Sequence, residues 1–157
     1  MSPSTQTIIR SDEREFVSLR IDGQLFGVEV TEIHDVFQPQ AITVVPLAQR
    51  EIAGVLNLRG RIVTTVCARR RLGLAERQEG EPPPMAIGIE KGGDSYGLLV
   101  DSVDEVLKLP DSAYEAVPVN LDPRWAHVSR GVYRVDGGLL VALDVERLLD
   151  LDLQATV

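Results

Sequence analysis

The chain is poor in most of what site chemistry needs. Among its 157 residues there is one cysteine and there are two histidines. A single cysteine excludes an internal disulfide and suits a reducing compartment. The histidines, His34 and His127, show no metal-ligand spacing and neither sits in an HExxH arrangement. No GxxxxGK[ST] or GxGxxG run is present to cradle a phosphate, and there is no GxSxG elbow. Basic residues are outnumbered, 16 Lys and Arg against 24 Asp and Glu, for a net charge of −8. Such a chain lacks the electrostatic footprint of a nucleic-acid binder and would be repelled by an anionic membrane surface. No apolar run is long enough for a bilayer span. The polar start "MSPSTQTIIRSDERE" is not a secretory signal, so the expected location is the cytoplasm. No cofactor, metal or catalytic constellation is expected.

Aromatics are scarce too, with one Trp, three Tyr and three Phe, so the core must be mainly Val, Leu and Ile. What the chain does have is internal similarity. "FGVEVTEIHDVF" (26–37) aligns with "YGLLVDSVDEVL" (96–107), placing Gly27 on Gly97, Ile33 on Val103, Asp35 on Glu105 and Val36 on Val106. In the same order, "GVLNLRGRIVTTVCARRRL" (54–72) aligns with "GVYRVDGGLLVALDVERLL" (131–149), placing Gly54 on Gly131, Gly60 on Gly137 and Ile62 on Leu139. Two matched blocks in matched order indicate a structural duplication.

Short Val/Ile/Leu-rich segments punctuated by Gly predict strands over 15–21, 24–30, 41–45, 53–58 and 61–66, then 85–91, 95–101, 103–109, 130–135 and 139–143. A short helical piece should end each half, "ARRRLGL" and "VERLLDL", the second capped by Asp144. "EGEPPPM" (79–85) reads as a linker, because its prolines cannot sit inside a sheet. The expected organisation is a tail over 1–14, a domain over 15–152 and a tail over 153–157. Within the domain, subdomains over about 24–78 and 85–143 are completed by the terminal segments. Five short strands per half suggest a small barrel, since closure removes exposed edges. The predicted fold is mainly β, with two pseudo-symmetric five-stranded barrels packed over a shared core. The seam between them would form a binding groove.

Two features invite a chemical reading. Cys67 stands where the second half has Asp144, just before Arg69, Arg70 and Arg71, a setting that can favour a thiolate; the plainer reading is a small half-buried residue. The arginine run reads as a solvated helix face with one stem packed down, or as a contact to an acidic partner. The turn Arg59-Gly60 is odder. Two-residue hairpin loops favour Asn-Gly or Asp-Gly, and the repeat counterpart is Asp136-Gly137. A cation placed where a better turn residue was available suggests a contact.

"FGVEVTEIHDV", "IAGVLNLRGRIV", "YGLLVDSVDEVLKL" and "GVYRVDGGLLVALDVERLL" together resemble the CheW-like domain of bacterial chemotaxis, over roughly residues 15 to 152. The resemblance implies two intertwined SH3-like barrels. It also implies a non-enzymatic adaptor joining the cytoplasmic tip of methyl-accepting chemoreceptors to the regulatory domain of a CheA-type histidine kinase. Neither nucleic-acid binding nor direct membrane insertion is implied, and recruitment to membrane-associated receptor arrays would follow. Carried over by position, Asp35 and Arg59 are the acid–arginine pair of the partner-facing edge, expected as a short ion pair. Gly54, Asn57 and Leu58 lead into Arg59, and Ile33, Val36, Val100 and Val103 lie on or near the receptor groove. The chain departs from the family pattern at Arg61, Thr64, Cys67 and Ala68, changes expected to cluster near the partner face. Those departures leave two alternatives: a regulatory module of a pilus or surface-sensing pathway, or a kinase-binding competitor that does not engage receptors.

Overall fold

The computed structural model describes residues 13–116 and 121–151. Its strands are β1 (Glu13–Ile21), β2 (Gln24–Glu29), β3 (Asp35–Phe37), β4 (Ile52–Leu58), β5 (Arg61–Cys67), β6 (Met85–Lys91), β7 (Asp94–Val100), β8 (Ser102–Pro110), β9 (Tyr114–Glu115), β10 (Ser129–Val135) and β11 (Gly138–Leu143). Helices α1 (Ala68–Arg71), α2 (Pro123–Val128) and α3 (Val145–Leu148) are short. No helix among the described residues is long and apolar enough to cross a membrane. The expected tails lie largely outside the described residues, although β1 already begins at Glu13.

The strands form two sheets, ordered β8-β1-β2-β11-β10-β9 and β3-β6-β7-β5-β4. Matched through the repeat, β3, β6, β7, β5 and β4 are the counterparts of β8, β1, β2, β11 and β10. The five-strand order is therefore the same in both sheets. The sheets are not the two halves of the sequence, however. The β1–β2 hairpin leaves the first half and joins the second-half strands through the parallel pairs Phe26↔Val141 and Gly27↔Ala142. The β6–β7 hairpin reciprocates against β5, with Val63↔Ser95 through Cys67↔Leu99. Of the expected subdomains, 24–78 thus gives up β2, which leaves with β1, and 85–143 gives up the β6–β7 hairpin.

The strand expected over 41–45 is absent. A single bridge, Thr43↔Val55, stands there, and β9 is its counterpart, pairing Glu115 with Val132. What joins the sheet instead, at its edge, is β3, where Asp35, Val36 and Phe37 pair with Gly88, Ile87 and Ala86. Pro39 and Pro46, with left-handed backbone at Ala41 and Leu47, keep the intervening loop out of the sheet. Helix α2 lies outside the expected elements, although Asp122-Pro123 carries its start signal: the Asp122 side chain accepts from the Arg124 amide and Pro123 occupies the first turn.

A mainly aliphatic core spans both sheets, beside a smaller cluster around Phe16, Tyr133 and Leu140. Leu19, Phe26, Val66, Leu72, Ile87, Leu98, Val141 and Leu148 are among the main core's fully or almost fully buried members. Gly54 and Gly131 sit at matched bulges in β4 and β10. A Cβ on Gly54 would run into the Thr43 carbonyl, and one on Gly131 would lie 2.8 Å from the Glu115 carbonyl oxygen. These glycines let the neighbouring segment approach each strand.

The arginine run is not a solvated face. Arg69 is only 6% exposed. Its Nη2 and Nε donate to the Asp101 carboxylate at 2.6 and 3.1 Å, Nη2 also donates to Glu81 at 3.0 Å, and Nη1 donates to the Ala75 and Glu76 carbonyls. Arg77 and the Asp22 amide complete the shell of Asp101. Burial raises the Asp101 pKa, but the hydrogen bonds from Arg69 and the Asp22 amide and the nearby Arg69 and Arg77 charges outweigh it, and the group ends below its ordinary value. Arg70 pairs with Glu76, and Arg71 donates to the carbonyls of Arg147 and Leu148. This cluster clasps α1, the 75–82 segment and the β7–β8 corner together.

Candidate functional site

The Arg59-Gly60 turn closes the β4–β5 hairpin beyond the pair Leu58↔Arg61. Arg59 has φ 53° and Gly60 φ 85°, so both central residues are left-handed, the type I′ form. For a residue with a Cβ this region costs about 1–2 kcal/mol. The counterpart loop at Asp136-Gly137 solves the bend differently: of its two central residues only Gly137, at 85°, is left-handed. The expectation that Asp136 marks the favoured two-residue form is therefore corrected: the strained form is the one that carries the arginine.

Arg59 lies at the end of the second sheet with its side chain 78% exposed, and its Nη1 stands 3.7 Å from Asp35 Oδ2. The pair is a loose ion pair rather than a short one. At this exposure it contributes about 0–1 kcal/mol to stability. Asp35 is placed by β3, and its carboxylate lies over Gly88, where any Cβ would collide with Oδ1. The matched position in the first sheet is Ser18, whose hydroxyl instead binds the Glu105 backbone. The scaffold therefore has room for a carboxylate above β6 and not above β1.

Beside this pair lies a concavity floored by Phe37, Leu58, Val63, Ile89 and Tyr96. Its other rim is a second charged group that the sequence reading did not assign to the site. Arg61 Nη2 donates to Glu90 at 2.5 Å and to Ser95 at 2.6 Å, and Ser95 donates to Glu90 at 3.2 Å. The hydrogen bond from Arg61 holds the Glu90 carboxyl below its ordinary pKa. Only the departure at Arg61 hinted at this rim. Two of the other departures lie elsewhere. Cys67 and Ala68 lie at the far end of β5, about 20 Å along the strand from Arg61, and Ala68 is buried in the core. Cys67 is half-buried and its side chain caps nothing. The arginines that follow it are engaged with Asp101, Glu81, Glu76 and backbone carbonyls.

The remaining site expectations separate. Asn57 is exposed, and its Oδ1 accepts from the Gly60 amide at 2.8 Å. Leu58 is half-buried in the concavity floor, whereas Gly54 is buried and belongs to the sheet packing. The four aliphatic positions do not gather in one groove. Val100 is 1% exposed and is core, which corrects its placement in a receptor groove. Ile33 and Val103 are half-buried against that core. Only Val36 is open, on β3. Ile33 does line a seam between the sheets, with Glu32, Glu90, Val145 and Glu146. Burial, offset by Arg130 but reinforced by neighbouring carboxylates, raises the pKa of Glu32 there. This seam is more acidic than the aliphatic pattern suggested.

In comparison with known proteins, residues 15–152 match the family profile described as CheW-like domain. Chemotaxis protein CheW of Thermotoga maritima is 30% identical over 139 residues, covering 88% of this chain and 89% of that protein. Chemotaxis protein CheW of Bacillus subtilis is 25% identical over 142 residues, covering 90% of each. Among solved structures, the scaffolding protein TtCheW from Thermoanaerobacter tengcongensis aligns with a TM-score of 0.77 at 24% identity, covering 88% of this chain and 94% of that one. That structural likeness is one of fold.

Proposed function

The chain belongs to the CheW-like domain family, and from that premise we propose its role: it is a coupling adaptor of chemotaxis-type signal transduction that works by binding and not by catalysis. Its partners are the regulatory domain of a CheA-type histidine kinase and the cytoplasmic tip of methyl-accepting chemoreceptors, and it acts in the cytoplasm at membrane-associated arrays. One observation carries the reading. Arg59 is held in a left-handed conformation, largely exposed, on the rim of an apolar concavity. A hairpin that needed only to turn would have no use for it.

An apolar centre with a charged rim is the anatomy of a modest protein interface. Asp35–Arg59 and Arg61–Glu90 supply that rim, and a partner presenting an apolar side chain with a carboxylate beside it would complement the face. The relatives named above are chemotaxis proteins CheW, which favours this role over a kinase-binding competitor. The test is titration calorimetry with the kinase regulatory domain and with a receptor-tip fragment from the same organism. Binding of both, with Arg59→Ala weakening the kinase arm and leaving the melting temperature within about 2 °C, supports the role. No binding of the kinase domain at about 100 μM, within the range of weak transient complexes, overturns it.

A further inference from the structure

We infer that Asn57 is the positioning residue of this face: its side chain holds the Arg59-Gly60 turn in the left-handed form that aims Arg59 at Asp35 and at the partner. The inference rests on the adaptor reading for its functional consequence, but its geometry stands apart from it.

Among the described residues, three two-residue turns have both central residues left-handed: Asp22-Gly23, Arg59-Gly60 and Gly92-Gly93. Aspartate and glycine enter that region readily, and arginine does not. The Arg59 turn therefore needs a local stabiliser, and Asn57 provides one by accepting the Gly60 amide at 2.8 Å. A side-chain amide is suited to this because its oxygen is a neutral acceptor that reaches the turn from a strand position two residues before Arg59.

The duplication supplies the control. The residue matched to Asn57 is Arg134, whose guanidinium turns away to Glu115 and to the Ser112 carbonyl. In that hairpin no side chain of the matched residue accepts from the turn, and Asp136 stays out of the left-handed region. The asparagine cap and the strained arginine occur together in one hairpin and are both missing from the other. Asn57 is exposed, its side chain does not pack in the core, and it faces the same end as Arg59. It thus acts through the turn.

The experiment combines a direct reading of the turn with a binding cycle. Amide hydrogen exchange by NMR reads Gly60: Asn57→Ala should remove its protection and Asn57→Asp, which keeps an acceptor oxygen, should restore it. Affinity for the kinase regulatory domain is then measured for Asn57→Ala, Asn57→Asp, Arg59→Ala and Asn57→Ala with Arg59→Ala. Loss of one such hydrogen bond corresponds to about fivefold, so Asn57→Ala should weaken binding about fivefold and Asn57→Asp should recover most of it. The double variant should bind as Arg59→Ala does, because Asn57 has nothing to aim once the guanidinium is gone. Unchanged Gly60 exchange in Asn57→Ala, unchanged affinity while Arg59→Ala weakens it, or an Asn57 loss that adds fully to the Arg59 loss overturns the inference. If Arg59→Ala binds normally while Gly60 exchange responds as expected, the partner reading of Arg59 fails and the turn assignment survives.

Discussion

Arg69→Ala tests the buried clasp most severely. The guanidinium is 6% exposed and makes two hydrogen bonds to Asp101, one to Glu81 and two to backbone carbonyls. Removing one partner of a buried pair costs about 3–5 kcal/mol, because the other charge stays buried without it. The lower end applies here, since the Asp101 side chain is 20% exposed and keeps Arg77 at 3.0 Å. A loss of about 3 kcal/mol in a domain of this size lowers the melting temperature by about 6–12 °C. Arg69→Lys keeps the charge but loses the planar fork, so it should fall between wild type and Arg69→Ala. Thermal unfolding followed by circular dichroism at pH 7 reads the series, with Arg59→Ala as an exposed control near zero. A shift under about 2 °C for Arg69→Ala would show that water replaces the guanidinium at little cost, and the account of a clasp joining α1, the 75–82 segment and the β7–β8 corner would be wrong.

Three further outcomes are expected. Asp101 is held below its ordinary pKa in the folded chain, so its stabilising contribution is present above the unfolded Asp value of about 3.9 and is lost as pH falls through the folded value; Asp101→Asn should flatten the acid limb of a stability–pH curve, and an unaltered limb would contradict this. Gly54→Ala should cost at least about 3 kcal/mol, because the new Cβ meets the Thr43 carbonyl and lies 2.8 Å from Ile42 Cγ2; chemical denaturation that finds it neutral would contradict the packing role given to Gly54. Cys67→Asp should stabilise by about 0.5–1 kcal/mol, since Asp144 at the matched position accepts from the Arg147 amide at 3.2 Å whereas Cys67 caps nothing; a lower melting temperature would show that the two helix starts are not equivalent.

The residues made the duplication, the strand-rich fold and the oddity of Arg59 legible, and each for a local reason. Alternating aliphatic residues and Gly-bounded turns act over a few positions, and a repeat can be found by laying the chain on itself. Strand boundaries for β6 and for the β4–β5 and β10–β11 hairpins were fixed this way to within a residue or so. The segment 41–45 misled because its Val and Ile residues suit a strand, while the prolines around it and the left-handed Ala41 and Leu47 allow only the Thr43 bridge.

The tertiary structure decided what depends on distant pairing. Both N-terminal hairpins of the repeat have the same apolar pattern, so nothing local says that β1–β2 must join β11 and β6–β7 must join β5. It removed Val100 and Gly54 from the candidate surface, because alternation marks two faces of a strand without saying which one is covered. It brought Glu90 and Ser95 to Arg61 from another hairpin. It also turned Arg69 inward, where only the folded chain could supply carboxylates from Glu81 and Asp101. The sequence by itself determined that a duplicated β scaffold displays an arginine at a turn with an asparagine two residues before it; three-dimensional pairing decided which charges and which apolar floor surround it.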